Sequence, residues 1–201
     1  MIAPAPLTAG LLDENANGIR MTPEEFDAVE HYDPQFRYEL VEGIVIVSPA
    51  PDISESSPND ELGYLLRRYQ NEHPQGQVID DTAFEQYIRV RNGRRLADRA
   101  IWTGLGRKPD VKTDMPTIAV EFVGKRRRDW RRDHVDKRHE YAAAVVDEYW
   151  VIDRFRRIMT VYCGESEVIV IESGATYTTH RLPGFELPLD RLLAASDPYT
   201  E

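Results

Sequence analysis

The stretch from Pro116 to Asp153 most constrains the fold of this chain. It opens with residues 117–123, an apolar run interrupted by one carboxylate, Glu121. Short apolar runs rich in branched residues are typical of buried strands. Residues 148–153 predict a second strand, and a helical pattern lies between the two. A strand, a helix and a second strand in this order indicate a crossover unit, so we expect an α/β fold with a partly parallel sheet.

A basic run directly follows the first of these strands. The whole chain has a net charge of −10, which argues against broad, non-specific binding to nucleic acid. A local basic patch on an acidic protein can still hold a phosphate backbone, and the alternative interpretation is a solvated arginine-rich loop. The candidate nucleic-acid-binding residues are Lys125, Arg126, Arg127, Arg128, Arg131 and Arg132.

Length and composition limit the domain organisation, the location and the kinds of site that the chain can have. A chain of 201 residues predicts one domain, here residues 21–195, after a loosely ordered N-terminal extension, residues 1–20. The sequence has neither a signal peptide nor an apolar run near the ~18 residues of a membrane span, so we expect a cytoplasmic location. The single cysteine, Cys163, excludes an internal disulfide and a cysteine-based zinc site.

Turn and cap signals divide the remaining chain into elements. We expect a helix from Ser56 to His73 with Ser57 as its N-cap, and a helix near residues 191–193. In the central helix, Val135 and Val145 are among the residues that we expect to be buried. Strands are predicted, among others, at residues 37–41, 44–48, 85–90, 94–102, 158–163, 168–171 and 177–182, the last three as an antiparallel meander.

Three carboxylates fall on predicted strands: Glu39, Asp98 and Glu121. A buried carboxylate is costly unless it is paired or bound to a metal. Two or three acids that meet favour a hard cation, Mg²⁺ or Mn²⁺, which takes oxygen ligands. The alternative is simple ion pairing with arginine, for Asp98 with Arg94 or Arg99.

The central helix offers a cation to these acids. Asp133, Lys137 and Tyr141 follow one another at intervals of four residues, which places them on one side of a helix. Lys137 could contact a phosphate or orient an attacking water, and a metal with nearby basic side chains is typical of phosphodiester hydrolysis. The alternative is a surface ion pair between Asp133 and Lys137. The five histidines are scattered along the chain, and we expect each to lie at the surface.

Taken together, these motifs resemble the signature of the restriction-endonuclease family called Uma-two, within the PD-(D/E)XK nuclease superfamily. The resemblance covers about residues 21–193. It is carried by Arg37–Gly43 with Ser48-Pro49, by Glu121 with Asp133, Lys137 and Tyr141, by Glu148–Asp153, and by Leu182–Phe185.

The resemblance implies a restriction-endonuclease-like core, in which a mixed sheet with flanking helices is followed by a C-terminal antiparallel meander. It further implies an endonuclease that hydrolyses DNA phosphodiester bonds with Mg²⁺ or Mn²⁺. Asp98 and Glu121 would hold the metal, Glu39 would be an additional acid, and Lys137 would be the catalytic lysine, with Lys125 as second candidate. Pro109-Asp110 is a rival for the position of Asp98, but it lies in a polar loop.

The chain departs from the family pattern in four places. Val123 stands where the superfamily usually has its lysine, Gly124 replaces a serine, and Ala97 replaces the proline before the first acid. Residues 52–55 lack the histidine that the family often has near the start of its second helix. These departures leave a second function open, that of a catalytically inactive nuclease-fold protein that binds nucleic acid or a protein partner. A homodimer formed through the C-terminal strands would suit cleavage of two DNA strands.

Overall fold

The computed structural model describes residues 11–124 and 132–199 and divides into two compact units. The first unit comprises the described residues up to Ala50 together with Arg89–Leu96, and the second comprises Pro51–Ile88 and the described residues from Ala97 onward. Residues 11–20, which the sequence assigned to a loosely ordered extension, lie in the first unit, where Leu12 and Ala16 are buried.

The strands are numbered here in chain order. They are β1 Leu11–Leu12, β2 His31–Tyr32, β3 Phe36–Val41, β4 Ile44–Pro49, β5 Ile79–Val90, β6 Gly93–Thr103, β7 Ile118–Phe122, β8 Glu148–Asp153, β9 Ile158–Cys163, β10 Glu167–Glu172, β11 Thr176–Tyr177 and β12 Leu187–Pro188.

The helices are numbered in the same way. They are α1 Pro23–Asp27, α2 Ile53–Glu72, α3 Lys137–Ala143 and α4 Leu189–Ala194; a π-helical turn, Arg132–Asp136, leads into α3, and short 3₁₀ turns lie at Glu14–Ala16, Gly76–Val78 and Asp197–Tyr199. Within residues 11–124 and 132–199, none of the helices has the length and apolar character needed to cross a bilayer.

The first unit is built around the hairpin of β3 and β4. Glu42 and Gly43 both have positive φ, 48° and 75°, as a two-residue type I′ turn requires. This turn sets the register, so that Leu40 lies opposite Val45 and both are fully buried. The strands predicted at residues 37–41 and 44–48 are therefore confirmed, and they form a hairpin.

The second unit is built around a mixed sheet with strand order β10-β9-β8-β7-β6, and β5 also pairs with β6. β7 and β8 are parallel, whereas β6 with β7, β8 with β9, and β9 with β10 are antiparallel. The predicted α/β fold class, with a parallel pair at its centre and antiparallel strands toward the C-terminus, is confirmed.

Side chains on the central strands alternate between two covered faces. On β7 and β8, Val120 and Trp150 point into the main core, which α2 and α4 complete with residues such as Leu66 and Leu192. The neighbouring residue Tyr149 points to the other face, where Tyr141 of α3 packs edge-on against its ring at 5.0 Å between centroids. Helices on both faces explain why these strands are buried along almost their whole length.

The start of helix α2 differs from the sequence prediction. The helix begins at Ile53, and its N-cap is Asp52, which forms a reciprocal capping box with Glu55. The prediction of Ser57 as N-cap is wrong, because Pro58 lies inside the helix and does not mark its start.

The predicted C-terminal meander is right for β9 and β10 and wrong for its third strand. Only Thr176–Tyr177 is extended there, and it pairs with Leu187–Pro188 in a separate two-stranded sheet. On β10, which ends the strand order, Val168 and Val170 are exposed. The homodimer expected through these strands stays a prediction.

Val135 and Val145 were also expected in the core, and both are exposed, at 37% and 77%. Val145 follows the end of α3 with φ of 63°, so it terminates the helix and does not continue its buried face.

Glu148 accepts side-chain hydrogen bonds from several buried residues beside the main core. Its carboxylate is buried and accepts hydrogen bonds from Trp150 Nε1 at 2.9 Å, from Tyr177 OH at 3.1 Å, and from Thr179 Oγ1. Burial, with the Glu148 carboxylate beside it, raises the pKa of the Tyr177 phenol. One acid thus joins the start of β8 to the chain that follows β10.

We therefore expect Glu148→Ala to lower the free energy of unfolding by about 3–5 kcal/mol, because three buried donors lose their acceptor. Urea denaturation followed by tryptophan fluorescence measures the change. The matched control is Glu167→Ala on exposed β10, which should shift stability by no more than about 0.5 kcal/mol. Similar values for the two variants would contradict the role given to Glu148.

Candidate active site

A buried ion pair joins β7 to α3. Lys137 Nζ donates to Glu121 Oε1 at 2.7 Å, and the two residues are only 1% and 2% exposed. Tyr141 OH lies 3.3 Å from the same oxygen. Lys137 and Tyr141 are one helical turn apart, so the face of α3 that covers the sheet delivers both donors. The sequence prediction that Lys137 reaches a strand carboxylate agrees with this geometry.

Asp98 lies on the strand next to Glu121. The register of β6 with β7 pairs Arg99 with Val120, and Asp98 and Glu121 are the next residues along these two strands. Because side chains alternate across a strand, both project to the face opposite that of Arg99 and Val120. Asp98 is 7% exposed, and its Oδ2 accepts the backbone N–H of Phe122 at 2.7 Å, which fixes the carboxylate beside the end of β7.

On the opposite face of the sheet, residues of α2 hold β6 in place next to Asp98. Asn59 of α2 donates from Nδ2 to the backbone oxygen of Asp98 at 2.8 Å and accepts from Arg99 Nε at 2.7 Å. Burial lowers the pKa of the Arg99 guanidinium to about 10. Gly63 makes room for it, since a Cβ there would lie 2.6 Å from Arg99 Nη2.

Arg94 and Arg99 were the two candidate ion-pair partners of Asp98. Arg94 forms its ion pair with Asp27 at 2.8 Å. Arg99 leaves β6 on the face that α2 covers and hydrogen-bonds Asn59 and Thr82. No local pattern indicated the contact of Asn59 with Asp98, because 39 residues separate the two along the chain.

Glu39 belongs to the first unit. There its Oε1 accepts the backbone N–H of Leu96 at 2.9 Å, and its Oε2 lies 3.8 Å from Arg95 Nη1. All of these contacts lie within that unit. The pairing of Glu39 with an arginine, an alternative left open by the sequence, is thus present, and its part in a site with Asp98 and Glu121 stays a prediction.

The basic run lies outside the described residues. This applies to Lys125, Arg126, Arg127, Arg128 and Arg131, and to the side chains of Arg132 and Asp133. Nucleic-acid binding by this run, and the second-choice role of Lys125, therefore stay predictions. The rival acid Asp110 is exposed, and its Oδ1 accepts the N–H of Lys112 within a polar loop.

His134 is a residue that the sequence interpretation placed wrongly. It was expected at the surface, but it is buried and its Nδ1 lies 2.8 Å from Tyr162 OH. Burial lowers the pKa of the imidazole, and the carboxylate of Asp153 opposes that shift in part. The isolated histidine gave no signal, because its partner lies 28 residues further along the chain.

The donor set of this site is two buried carboxylates on adjacent strands. Asp98 and Glu121 offer the hard oxygen ligands that suit Mg²⁺ and Mn²⁺. Within residues 11–124 and 132–199, no group of three or more His, Cys, Asp or Glu residues is arranged to hold a metal ion. A metal held here would thus take two protein carboxylates and complete its shell with other oxygens, which Mg²⁺ commonly does with water and phosphate.

Comparison with known proteins shows the family and the fold of the chain. The model of the Uma2 family, described as "Putative restriction endonuclease", matches residues 23–190, and the resemblance noted from the sequence motifs is confirmed. A crystal structure titled as a putative nuclease belonging to DUF820 from Anabaena variabilis ATCC 29413 superposes with a TM-score of 0.69. It is 16% identical in sequence, over 88% of this chain and 99% of that one, and so shows the shared fold. Among curated proteins, none matches significantly.

The short contact between Lys137 and Glu121 predicts a strong energetic coupling between these two residues. We expect Lys137→Met to lower the free energy of unfolding by about 3–5 kcal/mol, because it leaves the Glu121 carboxylate buried without its cation. Glu121→Leu should cost a similar amount, and the double variant should cost clearly less than the sum of the two. Urea denaturation of the four proteins completes the cycle.

The matched control for this cycle is Arg191→Ala. It removes a partly exposed pair of 2.6 Å with Glu61 and should cost at most about 1 kcal/mol. Additive costs for Lys137→Met and Glu121→Leu would contradict the buried pair.

Proposed function

The chain belongs to the Uma2 family, and on that premise we propose that it is a metal-dependent endonuclease that hydrolyses DNA phosphodiester bonds. The observation that supports this proposal is the buried contact of Lys137 with Glu121, next to which Asp98 accepts the N–H of Phe122. Two buried acids and one ammonium group match the needs of phosphodiester hydrolysis, in which negative charge must be neutralised and a water activated.

Asp98 and Glu121 are the residues that would hold Mg²⁺ or Mn²⁺. When bound, such an ion polarises a phosphoryl oxygen and lowers the pKa of a coordinated water. The protein prepares for this by holding Asp98 through the N–H of Phe122 and through the Asn59 contact to its backbone. Neither carboxylate then needs a large rearrangement to face the ion.

Lys137 is the proposed catalytic lysine. Its ammonium group now lies against Glu121 Oε1, and a short displacement would bring it to a phosphate oxygen or to the attacking water. We include Glu39 as an additional acid and the basic residues between Lys125 and Arg132 as the contact to the DNA backbone. Both assignments are part of the proposal.

Cleavage of supercoiled plasmid in Mg²⁺ or Mn²⁺ tests the proposal directly. We expect nicked or linear product with the unmodified chain, and a rate at least about 100-fold lower for Asp98→Asn and for Glu121→Gln, because each removes a charged metal ligand. Agarose gels over a time course measure the rate.

The control is Asp110→Ala, which removes the exposed acid of the rival Pro-Asp motif and should cleave like the unmodified chain. If cleavage is absent in both metals, or if it survives Asp98→Asn and Glu121→Gln unchanged, the proposed activity is wrong.

A further prediction separates the lysine from the metal ligands. We expect Lys137→Met to bind Mn²⁺ at least as tightly as the unmodified chain, because no ammonium group competes for Glu121 Oε1, and yet to cleave at least about 100-fold more slowly. Isothermal titration calorimetry measures the affinity. Loss of Mn²⁺ binding in this variant would contradict the assignment of Lys137 as a catalytic group.

A catalytically inactive nuclease-fold protein is the second candidate function. The observation that favours it is the 2.7 Å contact in which Lys137 already neutralises Glu121, together with Val123 and Gly124 at positions where the family pattern differs. Such a protein would bind its partner without a divalent cation. Undetectable Mn²⁺ binding in calorimetry, with DNA binding retained in EDTA, would support this candidate.

A further inference from the structure

The edge strand β10 presents exposed apolar side chains beside an open backbone. Among the strands that the structure describes, β10 pairs only with β9, and it ends the strand order of its sheet. The N–H and C=O groups along its outer side are therefore available to a further strand. Val168, Ile169 and Val170 are 45%, 37% and 57% exposed. Because side chains alternate across a strand, these three residues give the edge apolar groups on both faces.

The sequence of β10 lacks the features that usually keep an edge strand from pairing. Residues 167–172 contain neither lysine nor proline. All six residues pair with β9 in one continuous register, so no bulge turns the edge away from a partner. The two charged residues of the strand, Glu167 and Glu172, stand at its ends and leave its centre apolar. Such an edge is a template for another strand.

The same sequence is complementary to a second copy of itself. Two copies of one strand pair antiparallel across a two-fold axis normal to the sheet, and directly opposed residues then share a face. Because residues of one face are an even number of positions apart, the axis passes through a residue position. With the axis at Ile169, Val168 lies opposite Val170 of the second copy on one face, and the two Ile169 side chains meet on the other. No glutamate lies opposite a glutamate in this register.

Charge complementarity favours the same register. Arg138 of α3 lies on the face of the sheet to which Val168 projects, and its Nη2 donates to Glu165 O at 2.9 Å, in the turn that leads into β10. Within the part of the chain that the structure describes, neither Arg138 nor the exposed Glu172 has an oppositely charged side chain at ion-pair distance. The register places Glu172 of the second copy opposite Ser166, next to Glu165. Each Arg138 is then close to a carboxylate of the other copy.

We propose that two copies of this chain associate through β10, as an antiparallel pair centred on Ile169, in which Arg138 of each copy binds Glu172 of the other. The two Val168–Val170 pairs are of the β-branched kind that stabilises neighbouring strands. The homodimer expected through the C-terminal strands thereby receives a defined strand, a register and an ion pair that occurs twice. Association of this kind needs no catalytic activity, so the inference does not rest on the proposed function.

Sedimentation velocity of the full chain at a series of concentrations measures the association. We expect the unmodified chain to sediment as a dimer. Val170→Lys should weaken the association at least about 30-fold, because it places a charge in the centre of the paired edge. The matched control is Val111→Lys in the loop between β6 and β7, where the valine is 45% exposed, and it should associate like the unmodified chain. Far-UV circular dichroism verifies that each variant is folded.

Reversal of the proposed ion pair tests the register. Arg138→Glu and Glu172→Arg should each weaken the association about 10-fold, because each creates two contacts of like charge across the two-fold axis. The double variant should associate within about 3-fold of the unmodified chain, because its exchanged charges attract each other again. A local structural effect of either substitution would persist in the double variant.

The possible results separate the parts of this proposal. Sedimentation as a monomer at every concentration would overturn the dimer. Undiminished association of Val170→Lys would overturn β10 as the interface, and a double variant as weak as the single variants would overturn the register. Plasmid cleavage enters none of these results, so the dimer and the proposed endonuclease activity can fail separately.

Discussion

The buried ion pair between Lys137 and Glu121 is the interaction on which the central architecture depends. Burying two charges is expensive, and their attraction offsets that expense only when their geometry is close and other donors assist. Here the separation is 2.7 Å, and Tyr141 adds a hydroxyl at 3.3 Å. Removing one partner alone would leave the other charge buried without compensation, so the packing of α3 on the sheet depends on both residues. The proposed function gives the same two charges a chemical use.

The helices on the two faces of the sheet have different roles around the pair of Lys137 and Glu121. On one face, α2 supplies Asn59, which binds the backbone of β6 at Asp98 and thereby fixes where that strand lies beside β7. On the other face, α3 supplies the cation. Because side chains alternate across a strand, the same few residues of β6 and β7 can pack into the core and present acids to the opposite side. The rigid core thus positions the carboxylates without taking part in their chemistry.

Which features of the fold and of the candidate site could be predicted from the sequence depends on how far apart along the chain the contacting residues lie. The parallel strands, the hairpin turn at Glu42-Gly43 and the approach of Lys137 to a strand acid follow from local patterns and spacing. The start of α2 was misjudged because Ser57 was taken as its N-cap, whereas Asp52 caps the helix. The contacts of Glu148 with Tyr177 and of His134 with Tyr162 could not be foreseen, since these partners lie 28 or more residues away along the chain.

The position of the lysine shows why a motif can depart from its superfamily spacing and keep its geometry. A lysine two residues after Glu121 would leave β7 on the same face as the acid, because side chains repeat every second residue. Val123 occupies that place. A lysine on the helix that covers this face reaches the same oxygen from above, as Lys137 does. The proposed function requires an ammonium group on the acidic face of the sheet, and either a strand residue or a helix residue can supply it. A sequence spacing is therefore a weaker guide to this site than the face of the strand from which its charges project.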